Sequence, residues 1–205
     1  MSCRNPSGSH FFSSPAVLDL NMIKLSFSLI LFCLFPFGNA QSDSPFVMVP
    51  YGGPAGQWTD IEYCPPGTKA KGFSVKMKEK EGIPGDSALN GLRLYCTSEN
   101  KADGEYIVTS TEGQSGTWSN TFRCMNGFLS SFCLRVSPPK RIDDDMLANI
   151  KFRCRDSLEL EGSGSQRGFY GPWSGKCSDY ICGIQTKVTK QGDVVIDFRF
   201  YCCDK

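Results

Sequence analysis

The 205-residue chain carries 22 Lys and Arg against 21 Asp and Glu, a formal charge of +1, with 11 cysteines and one histidine. So even a balance lacks the electrostatic footprint that nucleic acid or an anionic membrane surface requires. Lys24 precedes an apolar run over residues 25–37, and Gly38-Asn39-Ala40 places small residues at −3 and −1, so residues 1–40 read as a signal peptide cleaved after Ala40. Met22 stands where an ordinary signal peptide begins, which makes residues 1–21 an upstream extension and leaves the start codon open between Met1 and Met22. The apolar run is short of the ~20 residues that span a bilayer, and no later segment is apolar enough. The expectation is a secreted, extracellular protein with no membrane association, formed by residues 41–205 as a single domain.

Removal of the leader takes away Arg4, Lys24 and Asp19, which brings the formal charge to zero, and it also removes His10, the one histidine. A mature chain without imidazole cannot run a Ser-His-Asp or Cys-His mechanism and has no histidine for a zinc site. Cys3 and Cys33 leave as well, and nine cysteines remain. That density in a secreted chain indicates a disulfide framework. Cys177-x4-Cys182 and the Cys202-Cys203 pair resemble metal-ligand spacing, but without CxxC pairs or histidine no metal site and no cofactor are expected.

The chain repeats itself at about 58–96, 118–154 and 173–203. Each copy has a G-x-W with Trp58, Trp118 or Trp173, a cysteine shortly after, an apolar strand holding a basic residue, an acidic turn, and a closing apolar-basic-apolar strand that ends in Cys. FSVKM at 73–77 overlays FCLRV at 132–136 and IQTKV at 184–188. LRL at 92–94 overlays IKF at 150–152 and FRF at 198–200. Agreement of so many features in order marks a true internal repeat. It suggests the pairs Cys64 with Cys96, Cys124 with Cys154 and Cys177 with Cys202, leaving Cys182 with Cys203. The last two pairs are open to exchange between Cys202 and Cys203, and Cys133 is left over, as an inert thiol or an intermolecular link.

From residue 41 on, every signal is for short strands and turns. Strands are expected over 47–49, 71–77, 92–96, 106–110, 129–136, 150–154, 184–188 and 194–201, separated by Gly, Pro, Asp and Ser clusters. The class is all-β, and alternation of Phe73, Val75 and Met77 with Ser74 and Lys76 calls for antiparallel sheets wet on one side. FVMVPYGGPAGQW at 46–58 overlays YIVTSTEGQSGTW at 106–118 without a gap, so the strand before each Trp belongs to the unit. The third copy has no such strand after it. Residues 46–49 are free to pair there, close the ring and cover an edge that would invite aggregation.

CPPGTKAKGFSVKM, GIPGDSALNGLRLYC, CGIQTKV and the closing YCC resemble the vitelline membrane outer layer protein family over residues 52–203. The resemblance implies a β-prism of three Greek-key antiparallel sheets about a pseudo-threefold axis, stapled by disulfides, and a secreted protein of egg coats or extracellular fluids. The family's eight mature cysteines match the eight paired above, so Cys133 is an addition. The third acidic turn, at 192–197, lacks the Ala-Leu-Asn of residues 88–90.

Two functions follow. The first is a structural or binding module of an extracellular coat or fluid, with glycans or matrix proteins as partners. Prism-shaped β folds are widely used by lectins, though a fold alone does not fix a function. The tryptophans could stack on sugars, but their repeated place beside Gly and before a bridging Cys reads as core. Asp86, Asp144 and Asp193 in the acidic turns could accept hydroxyl hydrogen bonds, though turn chemistry alone accounts for them. The alternative is a glycan-active enzyme, since the resemblance implies lysozyme-like glycosyl transfer and glycoside cleavage needs only two carboxylates. Asp60 and Glu62 are the candidates, with Glu159 and Glu161 also available, yet Phe122 stands in the place of Glu62 in the second copy. Disulfide exchange by Cys133 lacks a CxxC partner, and no N-glycosylation sequon occurs.

Overall fold

The computed structural model describes residues 45–50, 52–53, 55–79, 87–99, 104–137, 147–192 and 194–204. Fourteen strands and no helix occur among them. Three short strands come first, β1 (Phe46–Val47), β2 (Gln57–Trp58) and β3 (Glu62–Tyr63), and their partners lie at the far end of the chain. Next, β4 (Lys69–Glu79) and β5 (Ser87–Thr97) form a long hairpin. It is flanked by β6 (Glu105–Thr109) on β5 and by β7 (Thr117–Trp118) and β8 (Phe122–Arg123) on β4.

The order β7-β4-β5-β6 is a Greek key, with the fourth strand returning beside the first. The second wall repeats it with β9 (Leu129–Val136), β10 (Leu147–Cys154), β11 (Glu159–Glu161) and β12 (Phe169–Tyr170), in the order β12-β9-β10-β11. In the third wall the hairpin β13 (Tyr180–Val188) and β14 (Val195–Cys203) is the last of the chain. Its two flanking strands are β1, on β14, and β2, on β13, with β3 further along β13. Phe46 lies opposite Tyr201 and Val47 opposite Phe200, so the ring closes where residues 46–49 were expected to close it. The overlay of 46–58 on 106–118 is off by one at this edge, because Ile107, not Tyr106, lies opposite Tyr95, the counterpart of Tyr201.

Each hairpin turns alternate residues toward the common axis, as a half-buried strand must. The inward pairs are Phe73 with Leu94 and Val75 with Leu92 in the first wall, and Phe132 with Phe152 and Leu134 with Ile150 in the second. In the third they are Ile184 with Phe200 and Thr186 with Phe198. On the axis the Phe152 ring lies 4.6 Å from Phe73 and 4.9 Å from Phe200, and Phe132 lies 4.6 Å from Phe200. One ring contact thus spans all three walls. Each such side chain contributes roughly 1.5–3 kcal/mol by leaving water. At one end of the prism the three equivalent positions Lys69, Phe128 and Tyr180 converge. Lys69 is 8% exposed, and its ammonium sits 5.2 Å and 4.5 Å from the two ring centroids and pairs with Glu99. A cation is tolerated there because ring faces and a carboxylate replace its water.

The disulfides join different walls. Cys64, whose N–H donates to the Cys182 carbonyl of the third wall, is bonded to Cys96 of the first. Cys124, donating to Lys71 of the first wall, is bonded to Cys154 of the second. Cys177, donating to Ser130 of the second wall, is bonded to Cys202 of the third. Each pair of neighbouring walls is therefore stapled once, and Cys182–Cys203 adds a bridge inside the third hairpin.

Two outcomes are expected. Cys124–Cys154 closes a loop with a sequence separation of 30, and a Cys124→Ala/Cys154→Ala variant should lose about 3–4 kcal/mol of unfolding free energy. A loss under about 1 kcal/mol in urea titration would mean the walls hold without the staple. Thr186 occupies the inward place that Val75 and Leu134 hold in the sister walls. It is 1% exposed, and its hydroxyl has no hydrogen-bond partner among the described residues. Thr186→Val should raise stability by about 1 kcal/mol, since it removes an unsatisfied buried group; a fall in the urea midpoint would show that the hydroxyl is satisfied.

Candidate functional site

The outer faces of the walls are built from the residues that alternate with the core, and basic and aromatic side chains dominate them. In the first wall the Arg93 guanidinium lies 3.7 Å from the Trp118 ring centroid and Arg123 4.9 Å from Tyr95. Lys76 pairs with Glu112 at 2.8 Å and Arg123 with Glu105 at 2.7 Å. In the second wall Lys151 and Arg135 both cover Tyr170, and Arg153 lies 4.1 Å from Trp173. Glu161 accepts a hydrogen bond from the Tyr170 hydroxyl and pairs with Lys151, while Glu159 pairs with Arg153. Burial and the Glu161 carboxylate hold the Tyr170 phenol protonated.

The tryptophans are therefore half-buried on the outside and capped by cations, not packed in the axial core as their repeat position suggested. Nor are the three equivalent in register. Trp58 lies opposite Lys187 and Trp118 opposite Lys76, but the counterpart of those lysines, Arg135, faces Tyr170, and Trp173 comes three residues later.

The third wall differs in its second ring. Arg199 lies 3.9 Å from the Trp58 centroid, as its counterpart Arg93 lies over Trp118, but it is also 4.8 Å from Phe46, where the first wall has Ile107. Phe46 lies 5.8 Å from Tyr201, which lies 5.5 Å from Tyr63. The Tyr201 hydroxyl donates to Gln185 Oε1 and Gln185 Nε2 donates to the Thr59 carbonyl, so the strip is tied to its wall. Tyr63 is 51% exposed, and its ring can approach β13 closely because position 183 is glycine: a Cβ there would stand 2.8 Å from the ring. The result is a row of rings with an amide and a guanidinium among them.

Of the residues singled out from the sequence, Asp60 and Glu62 are exposed on the segment that carries β2 and β3. Glu62 pairs with Ile184 as Phe122 pairs with Phe73, but Phe122 stacks on Phe73 whereas Glu62 faces water. Glu159 and Glu161 are both neutralised by cations, the reverse of the apolar setting that raises the pKa of a general acid. Asp86, Asp144 and Asp193 lie outside the described residues. No group of three or more His, Cys, Asp or Glu able to hold a metal occurs among the described residues, nor does a helix long and apolar enough to cross a membrane. Cys133 is a free thiol, 2% exposed, on the outer face of β9. Tyr63, Tyr201 and Gln185 were missed; the clue was the dipeptide Tyr-Cys, which recurs at residues 63–64, 95–96 and 201–202.

This architecture is the β-prism of lectins. Calystegia sepium agglutinin superposes with a TM-score of 0.52 at 15% identity, covering 78% of this chain and 96% of the lectin. Artocarpin, in its complex with mannotriose, superposes with a TM-score of 0.50 at 13% identity, covering 77% and 97%. The chain belongs to the vitelline membrane outer layer protein I family, whose model matches residues 46–205. It is 41% identical to the mouse (Mus musculus) vitelline membrane outer layer protein 1 homolog over 190 residues, 85% of this chain and 94% of that protein. With the human (Homo sapiens) homolog it shares 40% over 188 residues, 85% and 93%.

Burial pushes the Cys133 thiol up to about 11, with Lys151 and Arg153 pulling down and Glu159 and Glu161 pushing up. Alkylation of Cys133 in the native protein should therefore be slow at neutral pH and still accelerate above pH ~9, and unfolding should abolish the delay. Rapid native labelling at neutral pH would contradict this placement.

Proposed function

We propose that the protein is a secreted, disulfide-stapled module that binds glycans of an extracellular coat or fluid through the aromatic strip of its third wall. The observation that carries this reading is the half-exposed Tyr63 beside Tyr201, Phe46 and Trp58, with Gln185 and Arg199 set among the rings. The rings are tilted to one another, by 59° between Phe46 and Tyr201 and 64° between Tyr63 and Tyr201, and the exposed Tyr63 offers the apolar contact that a sugar C–H face accepts, while the amide and guanidinium supply directional hydrogen bonds to hydroxyls. Two further observations support it. Solved neighbours of the same prism fold are lectins, one of them in complex with a biantennary N-glycan at 15% identity and a TM-score of 0.53. Four disulfides also fit an oxidising compartment, in keeping with export by residues 1–40.

Matrix proteins bearing such glycans are the natural partners, and a rigid stapled prism suits a role in a coat. The enzymatic alternative has less support: Asp60 and Glu62 stand in solvent, and Glu159 and Glu161 are occupied by cations. A glycan array on the refolded mature protein should show saturable binding. Tyr63→Ala should weaken that binding by at least about tenfold, equivalent to ~1.4 kcal/mol, and leave thermal stability nearly unchanged. Indifference of binding to Tyr63→Ala would contradict the site. New chito-oligosaccharide products, abolished by Glu62→Gln, would overturn the reading in favour of the enzyme.

A further inference from the structure

In the first two walls the crossing loop is held by an asparagine at the irregular end of the hairpin. In the first wall Asn90 Nδ2 donates to the Ser115 carbonyl at 2.7 Å, and in the second Asn149 Nδ2 donates to the Gly162 carbonyl at 2.7 Å. Asn149 also turns its Oδ1 back to accept from the next amide, Ile150 N–H, at 2.9 Å. The third wall has Asp197 at the place of Asn149, five residues before the bridging Cys in both strands. Asp197 Oδ1 accepts from the next amide, Phe198 N–H, at 2.8 Å, the same local bond.

Asp197 is 4% exposed and lies under Gly52, where a Cβ would overlap its carboxyl, as one on Gly164 would crowd Asn149. The clasped segment is also held by Gly53 N–H to the Ile196 carbonyl at 2.9 Å and by Lys187 Nζ to the Gly53 carbonyl at 2.8 Å. What the asparagines have and a carboxylate lacks is a donor. A carboxylic acid has one.

We propose that under mildly acidic conditions Asp197 is held as the neutral acid in the folded protein, and that its ionisation toward neutral pH loosens the clasp pressing the N-terminal segment onto the third wall. That segment carries Phe46 and Trp58, so the consequence for glycan affinity rests on the reading of the aromatic strip given above; the clasp itself does not. The cations facing Asp197 among the described residues are Lys187 on β13 and Arg199 on β14, and both favour the ionised form. Burial outweighs them together with the Phe198 amide bond, and pushes the carboxyl up to about 6 from an ordinary 3.8. Because the folded state binds the proton more tightly than the unfolded chain, the stability contributed by Asp197 is fully present below about pH 4 and is lost as pH rises through about 6.

Urea unfolding of the wild-type protein and of Asp197→Asn at a series of pH values between about 4 and 8 isolates this group. The ratio of the two folding constants should shift in favour of Asp197→Asn by an order of 100-fold across that range, since each pH unit of displacement is worth about tenfold. A flat ratio, or one moving the other way, overturns the proposal. A carbon-detected NMR titration of the Asp197 carboxyl in the wild-type protein gives the same answer without a variant: a midpoint near 6 supports it and one below about 4 overturns it. In the glycan assay, wild-type affinity should fall above about pH 6 while that of Asp197→Asn holds. Absence of glycan binding at every pH would sink the functional reading alone, because the unfolding ratio and the carboxyl titration still decide the clasp.

Discussion

The contact of Phe152 with Phe73 on one side and Phe200 on the other is the interaction on which the rest of the structure depends. A four- or five-stranded sheet with one apolar face must bury that face against something. Here each wall finds two others, and among the described residues no wall has a second layer of its own. The requirement explains why the sequence repeats three times, why Phe73, Phe132, Phe152, Phe198 and Phe200 all stand at inward positions, and why one polar intruder, Thr186, stands out among them. It also explains the staples. Walls that meet only along an axis and at their corners gain most from covalent links across the corners, and Cys64–Cys96, Cys124–Cys154 and Cys177–Cys202 supply one each.

Closure has a second consequence. The first three described strands belong to the third wall, so β1, β2 and β3 pair with a hairpin more than a hundred residues away. The third wall is thereby the composite one, and its outer surface differs from the others. Where the first two walls balance their cations with Glu105, Glu112, Glu159 and Glu161, the third sets Arg199 between Phe46 and Trp58 and leaves Tyr63 half in water. The proposed glycan strip and the proton-sensitive clasp at Asp197 both follow from this composite construction.

Much of the fold was legible because period-2 alternation and repeated punctuation are local signals: the all-β class, the three copies and the vacancy next to the last strand can be read from residues such as Phe73, Phe132 and Ile184. Register was less legible. Trp173 aligns with Trp58 and Trp118 by its Gly and Cys neighbours, yet Tyr170 takes the paired position: β11 and β12 are joined by a connection as long as that between β6 and β7, so the ladder puts Tyr170 where Trp118 stands, and pairing follows the ladder, not the motif. The repeat frame, cut at each Trp, runs across walls, so a bridge that closes one copy in sequence joins two walls in space. The candidate site was the least legible part. Tyr63 and Tyr201 are 138 positions apart and meet only because β3 and β14 both pair with β13. The acidic turns at Asp86, Asp144 and Asp193 drew attention by composition, which carries no information about what faces them.

Native-state hydrogen exchange at about pH 5, where the clasp is expected to be protonated, tests the composite third wall most directly. The Thr59, Cys64 and Cys202 amides donate to Thr186, Cys182 and Pro45, each bond joining the N-terminal segment to the last hairpin. If β1, β2 and β3 build one wall with the last hairpin, these amides exchange only through global unfolding, with the same denaturant dependence as the β9–β10 ladder. Exchange of all three at unprotected rates while that ladder stays closed would contradict the account.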